Sequence, residues 1–125
     1  VQSGRAAAGL MHDILREEGT IAVISGIETN TSLSDRIYGF CDEIKKAGFE
    51  PMVYSGASAL RNYFEYSKIR EYKIWVAHYT KASAPAIPFS YDMWQYTSRA
   101  VINGANTGMG YCDLNYYLVD KNYKE

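Results

Sequence analysis

Apolar residues follow two different patterns along the first half of the chain. From Arg5 to Glu18 they recur at helical spacing and form one stripe, made of Ala7, Leu10, Met11, Ile14 and Leu15. The run from Ile21 to Ile24 has no polar position, which is typical of a strand covered on both faces. A helix follows from Ser32 to Ala47, where Ser32 and Asp35 resemble a capping box and Gly48 is a stop signal. The pattern therefore predicts helix, strand and helix in that order.

The same order of elements repeats in the second half. A short helix is predicted at Ala57–Phe64, and strands are predicted at Pro51–Tyr54, Lys73–Tyr79, Asp92–Thr97 and Tyr111–Leu118. Helices that alternate with buried strands are typical of a parallel sheet with crossover connections. We therefore predict an α/β fold with about five parallel strands, in one domain over residues 1–125.

Polar side chains follow the carboxyl ends of these strands. In parallel β/α architectures those ends converge at one rim, where binding and catalytic residues lie. The residues expected there are Glu28, Tyr54, Ser55, His78, Tyr79, Gln95, Tyr96, Asp113 and Asn115. Two carboxylates, two amides and several phenols on one rim favour a hydrolase or a site for a polar ligand.

Composition narrows the range of partners. The chain is 47% apolar and 22% charged with a formal net charge of −1, so it offers no basic field, and we expect neither nucleic acid nor a membrane surface as a partner. No metal-ligand spacing is present. Cys41 and Cys112 are interpreted as buried free thiols, with a disulfide as the alternative. The 12 Tyr and 2 Trp suit a sugar-binding cleft, although composition alone favours the alternative of a core and surface that are rich in tyrosine.

Four segments, taken in their order along the chain, resemble the closing strands of the family 25 glycoside hydrolases, which are lysozymes. They read Pro51-Met52-Val53-Tyr54-Ser55-Gly56, Lys73-Ile74-Trp75-Val76-Ala77-His78-Tyr79, Met93-Trp94-Gln95-Tyr96-Thr97-Ser98 and Gly110-Tyr111-Cys112-Asp113-Leu114-Asn115. The resemblance covers roughly residues 5 to 120. It implies a partial β/α barrel of the TIM type, of which this chain is the C-terminal portion.

The resemblance also implies an activity. Enzymes of that family are muramidases, which cut peptidoglycan at the β-1,4 bond after N-acetylmuramic acid. By this resemblance Glu28 stands at the position of the general acid and Asp113 at that of the final-strand Asp, and both are candidate catalytic residues. The expected substrate-binding residues are Tyr54, Tyr79, His78, Trp94, Gln95, Tyr96 and Asn115. No metal or organic cofactor is implied, and the substrate implies an extracellular or cell-wall setting, in a secreted bacterial or phage-lytic protein.

Two features depart from the family pattern. The strand motif Asp-x-Glu reads Gly26-Ile27-Glu28 here, so the Asp thought to steady the substrate's own N-acetyl group is replaced by glycine. The family's barrel has about eight strands, and this chain starts at Val1 without an initiator Met, so we expect the first third of a barrel to be missing. Such a piece is expected to be incomplete or impaired as an enzyme, and to pair with the missing portion or with itself.

Each candidate residue has an ordinary structural alternative. For Glu28 it is an exposed loop acid, for Asp113 a turn cap, and for Tyr54 and Tyr79 half-buried strand ends. Trp94 is a core residue in the alternative interpretation, and His78 has no Ser or Cys partner in view for a catalytic dyad. The rival functions are a non-catalytic binder of cell-wall glycan and, less favoured, a sugar-phosphate enzyme, for which the chain lacks a phosphate-cradling Gly-rich loop.

Overall fold

The structure, a computed structural model, describes residues 2–15, 20–24, 31–105 and 110–118. Within these residues the helices are α1 (Gln2–Leu15), α2 (Thr31–Lys46), α3 (Ala57–Asn62) and α4 (Tyr66–Ile69). The strands are β1 (Thr20–Ile24), β2 (Glu50–Gly56), β3 (Lys73–Ala77), β4 (Met93–Ala100) and β5 (Cys112–Tyr117). The sequence pattern missed α4, because a single turn is too short to show helical periodicity. None of the described helices is long and apolar enough to cross a membrane.

The strands form one sheet in the order β1-β2-β3-β4-β5. The first four are parallel, with the registers Val23↔Val53, Ser55↔Val76 and Ala77↔Gln95. The α/β class is therefore confirmed, with one correction to the prediction of about five parallel strands, because β5 runs antiparallel to β4. Residues 101–111 connect β4 to β5, and they are fewer than the dozen or more that a parallel crossover needs, whereas the parallel strands β3 and β4 are connected by the longer segment 78–92.

Side chains on the two faces of the sheet have different surroundings. The core face carries Val53, Val76 and Trp94, and it packs against helices α2, α3 and α4. The main core contains Ile37, Cys41, Val53, Ala57, Leu60, Phe64, Ile69, Ile74, Val76 and Trp94. Because successive side chains alternate between faces, Tyr54, Trp75 and Gln95 point to the opposite side, which we call the site face.

Helix α2 ends as its sequence predicts. Gly48 has a φ of 93°, in the left-handed region that favours glycine. The Phe49 N–H donates to the Ile44 carbonyl at 3.1 Å, and the Gly48 N–H donates to that of Lys45 at 3.1 Å. This pair of bonds is a Schellman motif, and its usual apolar contact is present, since Phe49 and Ile44 are buried in one cluster.

The contact between α1 and α2 differs from the predicted stripe. The side of α1 that meets α2 carries Gly4 and Ala8, both buried, whereas Ala7 and Leu10 are exposed, Leu10 by 64%. A Cβ added at Gly4 would overlap the Arg36 carbonyl oxygen, so the two helices approach at backbone distance. Met11 packs against the cluster of Ala8, Ile44 and Phe49, as its place in the predicted stripe requires. The side chains of Ile14 and Leu15 lie outside the described part of the chain.

Candidate active site

The strand directions bring residues of β2, β4 and β5 to one end of the sheet. Tyr54 lies toward the carboxyl end of β2, and Gln95 is level with Ala77, the last residue of β3. Because β5 is antiparallel, its beginning lies at the same end, and Asp113 is its second residue. The backbone of β1 also reaches this end, where Ile24 pairs with Tyr54. The rim expected from the sequence is therefore present, and Asp113 reaches it by a strand direction that was not predicted.

Gln95 is the centre of a hydrogen-bonded group on the site face. Its side chain is buried, with 3% of the residue exposed. The hydroxyls of Tyr54 and Tyr79 both donate to Gln95 Oε1, each at 2.7 Å. Gln95 Nε2 donates to Asp113 Oδ2 at 3.0 Å. We call these four residues the Gln95 group.

The chemistry of the partners fixes which way the Gln95 amide faces. The Asp113 carboxylate can only accept hydrogen bonds, so the NH₂ end must face it. The amide oxygen is then left for the phenols, and each phenol uses its single proton there. Tyr54, Tyr79 and Asp113 therefore have only lone pairs left with which to form further hydrogen bonds. This rim is built to accept hydrogen bonds from hydroxyl or amide N–H groups and to favour positive charge.

Tyr54 keeps its proton for structural reasons. Burial raises the pKa of this phenol, and the neighbouring Tyr79 and Asp113 raise it further. Its ring lies against the Trp75 indole at 4.7 Å between centroids, in an edge-on arrangement. Trp75 Nε1 in turn donates to Asn115 Oδ1 at 2.8 Å. Asn115 therefore lies on the site face as a support for Trp75, which positions Tyr54.

Ala77 leaves the space in which these groups meet. It pairs with Gly56 on one side and with Gln95 on the other, and it points to the site face. A side chain of one carbon there lets the Tyr54 hydroxyl pass over β3 to reach Gln95 on β4. Neither Ala77 nor Trp75 was among the predicted site residues. Alternation along β3 is the signal that would have placed them beside Tyr54.

Four other predicted residues are not brought to the Gln95 group. Ser55 is buried on the core face of β2, with 1% of the residue exposed. Trp94 is 7% exposed in the main core, and its Nε1 donates to the His78 carbonyl oxygen at 2.9 Å. Tyr96 lies on the same face as Trp94 and stacks on Tyr116, with 4.3 Å between centroids. His78 Nδ1 accepts a hydrogen bond from the Ala86 N–H at 3.0 Å, so the imidazole stabilises the loop after β3.

Two predicted positions cannot be placed. Glu28, the candidate general acid, and Gly26 lie outside the described residues. In the described ranges no cluster of three or more His, Cys, Asp or Glu side chains could hold a metal ion. Cys41 is a buried free thiol and Cys112 a half-buried one, so the disulfide alternative is wrong. Burial raises the pKa of the Cys41 thiol to about 12.

Comparison with known proteins identifies what this arrangement resembles. The family model described as "Glycosyl hydrolases family 25" matches residues 11–105. The uncharacterised protein YegX of Escherichia coli is 32% identical over 77 residues, which are 58% of this chain and 25% of YegX.

Solved structures share the fold. The CTP1L endolysin superposes with a TM-score of 0.72 at 24% identity, over 92% of this chain and 41% of the endolysin. The lysozyme of Streptomyces coelicolor gives 0.68 at 21% identity, over 95% of this chain and 63% of that one. The autolysin LytC of Streptococcus pneumoniae gives 0.65 at 23% identity, over 90% and 30%. The chain therefore spans less than two thirds of each of these relatives, as a partial barrel does.

Proposed function

From the premise that the chain belongs to glycosyl hydrolases family 25, we propose that it forms the C-terminal part of a muramidase. The substrate would be the glycan strand of peptidoglycan, cut by hydrolysis at the β-1,4 bond after N-acetylmuramic acid. The observation that carries this proposal is the Gln95 group, which presents lone pairs and a carboxylate at the rim of the sheet. Hydroxyls and acetamido N–H groups of a sugar are matching donors.

Glu28 and Asp113 take separate roles in the proposed reaction. Glu28 as an acid gives its proton to the leaving glycosidic oxygen, and as a carboxylate it then takes a proton from the attacking water. The acetamido oxygen of the substrate attacks the anomeric carbon in the first step and is displaced by water in the second. Asp113, held by Gln95, accepts a hydrogen bond from a substrate hydroxyl or polarises Glu28.

Lysis by a Glu28→Gln variant tests this role. The protein to use carries this chain together with the remaining strands of a family 25 barrel, and the readout is the fall in turbidity of bacterial cell walls. We expect a loss of about 10²–10⁴ in rate with an unchanged circular dichroism spectrum, as for the removal of a general acid. Glu50→Gln is the matched control, because Glu50 is an exposed carboxylate at the start of β2, away from the rim. Near-normal lysis by Glu28→Gln would remove Glu28 from the mechanism.

A second candidate function is a binder of cell-wall glycan without turnover. Gly26 favours it, because a glycine cannot supply the carboxylate that the family places two residues before the acid. Calorimetric titration with a peptidoglycan fragment, run beside the turbidity assay, separates the two functions. Binding without lysis in a completed barrel selects the binder.

The setting and the partners are part of the same proposal. Since the substrate lies in the cell wall, we propose an extracellular or cell-wall location for a secreted, bacteriolytic protein. Within the described residues, β1 and β5 each have one edge without a neighbouring strand. We expect these edges to pair with the rest of a barrel or with a second copy. Light scattering of the chain alone should report a dimer or larger species, and a lytic, monodisperse 14.1 kDa monomer would contradict this expectation.

A further inference from the structure

An aromatic concavity lies on the core face of β4 and β5, on the side of the sheet opposite the Gln95 group. Its volume is about 450 Å³. We call it the outer aromatic site, and its walls include Thr80, Ser83, Tyr91, Trp94, Tyr96 and Tyr116. It is separated from the rim by the thickness of the sheet, since Trp94 and Tyr96 alternate with Gln95 along β4.

The rings of this site hold one another in place. Tyr96 and Tyr116 are stacked, with 4.3 Å between centroids and 19° between planes. Trp94 lies 5.7 Å from Tyr116, and with 7% of the residue exposed and its N–H bound to the His78 carbonyl, the indole forms the floor of the site and offers no donor. Tyr116 is 53% exposed although one of its faces is covered by Tyr96. Its other face and edge are therefore available on a surface that needs little ordering to bind.

The polar groups around these rings indicate the class of ligand. None of the described residues that line the concavity is charged, which disfavours a phosphate, a nucleotide or an acidic peptide. Phenols and the hydroxyls of Thr80 and Ser83 lie beside the aromatic surfaces. Thr80 Oγ1 already accepts a hydrogen bond from the Ala82 N–H at 3.1 Å, so its own proton is left to donate. Flat apolar rings beside neutral hydroxyls match a pyranose, which has a C–H face and a hydroxyl edge.

We propose that the outer aromatic site binds a neutral pyranose ring of a glycan strand, as a second site that takes no part in bond cleavage. The choice of an N-acetylated glycan as its natural ligand rests on the proposed function, whereas the site itself does not. Two attachment points on one small domain would lengthen its residence on a polymer, because the second contact becomes intramolecular.

The chain contains 2 Trp, and they report on the two faces separately. Trp94 lines the outer aromatic site, and Trp75 lies on the site face against Tyr54. The experiment is a titration of the ¹⁵N-labelled full chain with an N-acetylglucosamine tetramer, followed by the two indole N–H signals in NMR spectra. A Trp75→Phe variant assigns the signals. We expect a saturable movement of the Trp94 signal.

Neighbouring tyrosines supply the variant and its control. Tyr116→Ala should weaken the binding seen at Trp94 by about tenfold or more, the effect of losing one well-packed aromatic contact. Tyr117→Ala should leave it unchanged. Tyr117 is 50% exposed, close to Tyr116, but it lies on the other face and pairs with Met93. Should Tyr116→Ala fail to fold, Ser83→Phe blocks the concavity from an exposed loop position and should have the same effect.

The possible results separate this proposal from the proposed function. Movement of the Trp75 signal alone would overturn the outer aromatic site and leave a glycan-binding rim. Movement of the Trp94 signal that survives both Tyr116→Ala and Ser83→Phe, or no movement of either signal, would also overturn it. Movement of the Trp94 signal alone, abolished by either variant, would support the outer site, and glycan binding at the rim is then decided by the assays of the completed barrel.

Discussion

Replacing the amide of Gln95 by a carboxyl tests the central contact of the candidate site. Gln95→Glu keeps the shape of the side chain and keeps an oxygen for the two phenols. The atom that faces Asp113 at 3.0 Å changes from an N–H donor to a carboxyl oxygen. Two carboxylates at that distance, one of them at a position with 3% exposure, do not both ionise. They share a proton, and the shared proton titrates as a property of the pair.

The sign of the pH dependence follows from the raised pKa of the introduced carboxyl. Its pKa in the unfolded chain is about 4.3, and in the folded chain burial and the like charge raise it by roughly two to three units. The folded variant therefore holds a proton that the unfolded chain releases. Its stability is fully present below about pH 4 and is lost as the pH rises through the folded pKa. At about 1.36 kcal/mol per unit, the loss amounts to about 3–4 kcal/mol.

The assay is urea unfolding followed by tryptophan fluorescence, at about pH 4.5 and about pH 7.5. Asn115→Asp is the matched control, because it makes the same amide-to-acid change on the same face at an exposed position and keeps the acceptor for Trp75. Gln95→Leu removes the hydrogen bonds without adding charge, and it should cost about 1–2 kcal/mol without this pH profile, since Asp113 and Tyr79 can turn to water. If Gln95→Glu shows the pH profile of the unmodified chain, the buried bridge that we describe does not exist.

Three further predictions concern other parts of the molecule. Gly4→Ala should lower the free energy of unfolding by about 1–3 kcal/mol or more, because the added Cβ would meet the Arg36 carbonyl. The control is Gly9→Ala on the same helix, which should not destabilise the fold because nothing lies within 4 Å of its added Cβ. Equal unfolding midpoints for the two variants would contradict the close approach of α1 and α2. With a thiol pKa raised to about 12, Cys41 should resist iodoacetamide at neutral pH while the half-buried Cys112 reacts, and mass spectrometry that finds equal labelling would refute this burial. Gly26→Asp should raise the rate of lysis in a completed barrel, because a carboxylate there stabilises developing positive charge, and an unchanged rate would mean that another group supplies it.

Much of the fold could be predicted from local patterns. Strands β2 and β3 are apolar runs, and α2 carries both its buried stripe and its glycine stop, so their positions follow from periodicity. The face of α1 could not be read in the same way. Its contact with α2 depends on Gly4, and a glycine adds nothing to an apolar pattern although it permits the closest approach. The direction of β5 was missed because the rule for parallel strands was extended to a connection, residues 101–111, that is too short for a parallel crossover.

The members of the candidate site were predicted better than their arrangement. Tyr54, Tyr79, Gln95 and Asp113 were all expected at the rim, and they are joined there by hydrogen bonds. Trp94 and Tyr96 were expected with them from the family resemblance, which rests on the run Met93-Trp94-Gln95-Tyr96-Thr97-Ser98 as a whole. In a strand, adjacency puts a residue on the opposite face, so the Met93–Ala100 strand sends Gln95 to the site face and its two aromatic neighbours away from it.

The direction of β5 links the chemistry of the site to the architecture of the sheet. The carboxylate of Asp113, the second residue of β5, belongs to the rim only if the first residues of β5 lie at that end of the sheet. In the antiparallel strand they do, while Tyr117 at the far end of β5 pairs with Met93. One buried amide on β4 then joins a phenol on β2 and a carboxylate on β5. Because these bonds join β2, β4 and β5, any change that opens the sheet between β4 and β5 also removes the Asp113 carboxylate from the rim. Stability of this edge and integrity of the candidate site should therefore be lost together.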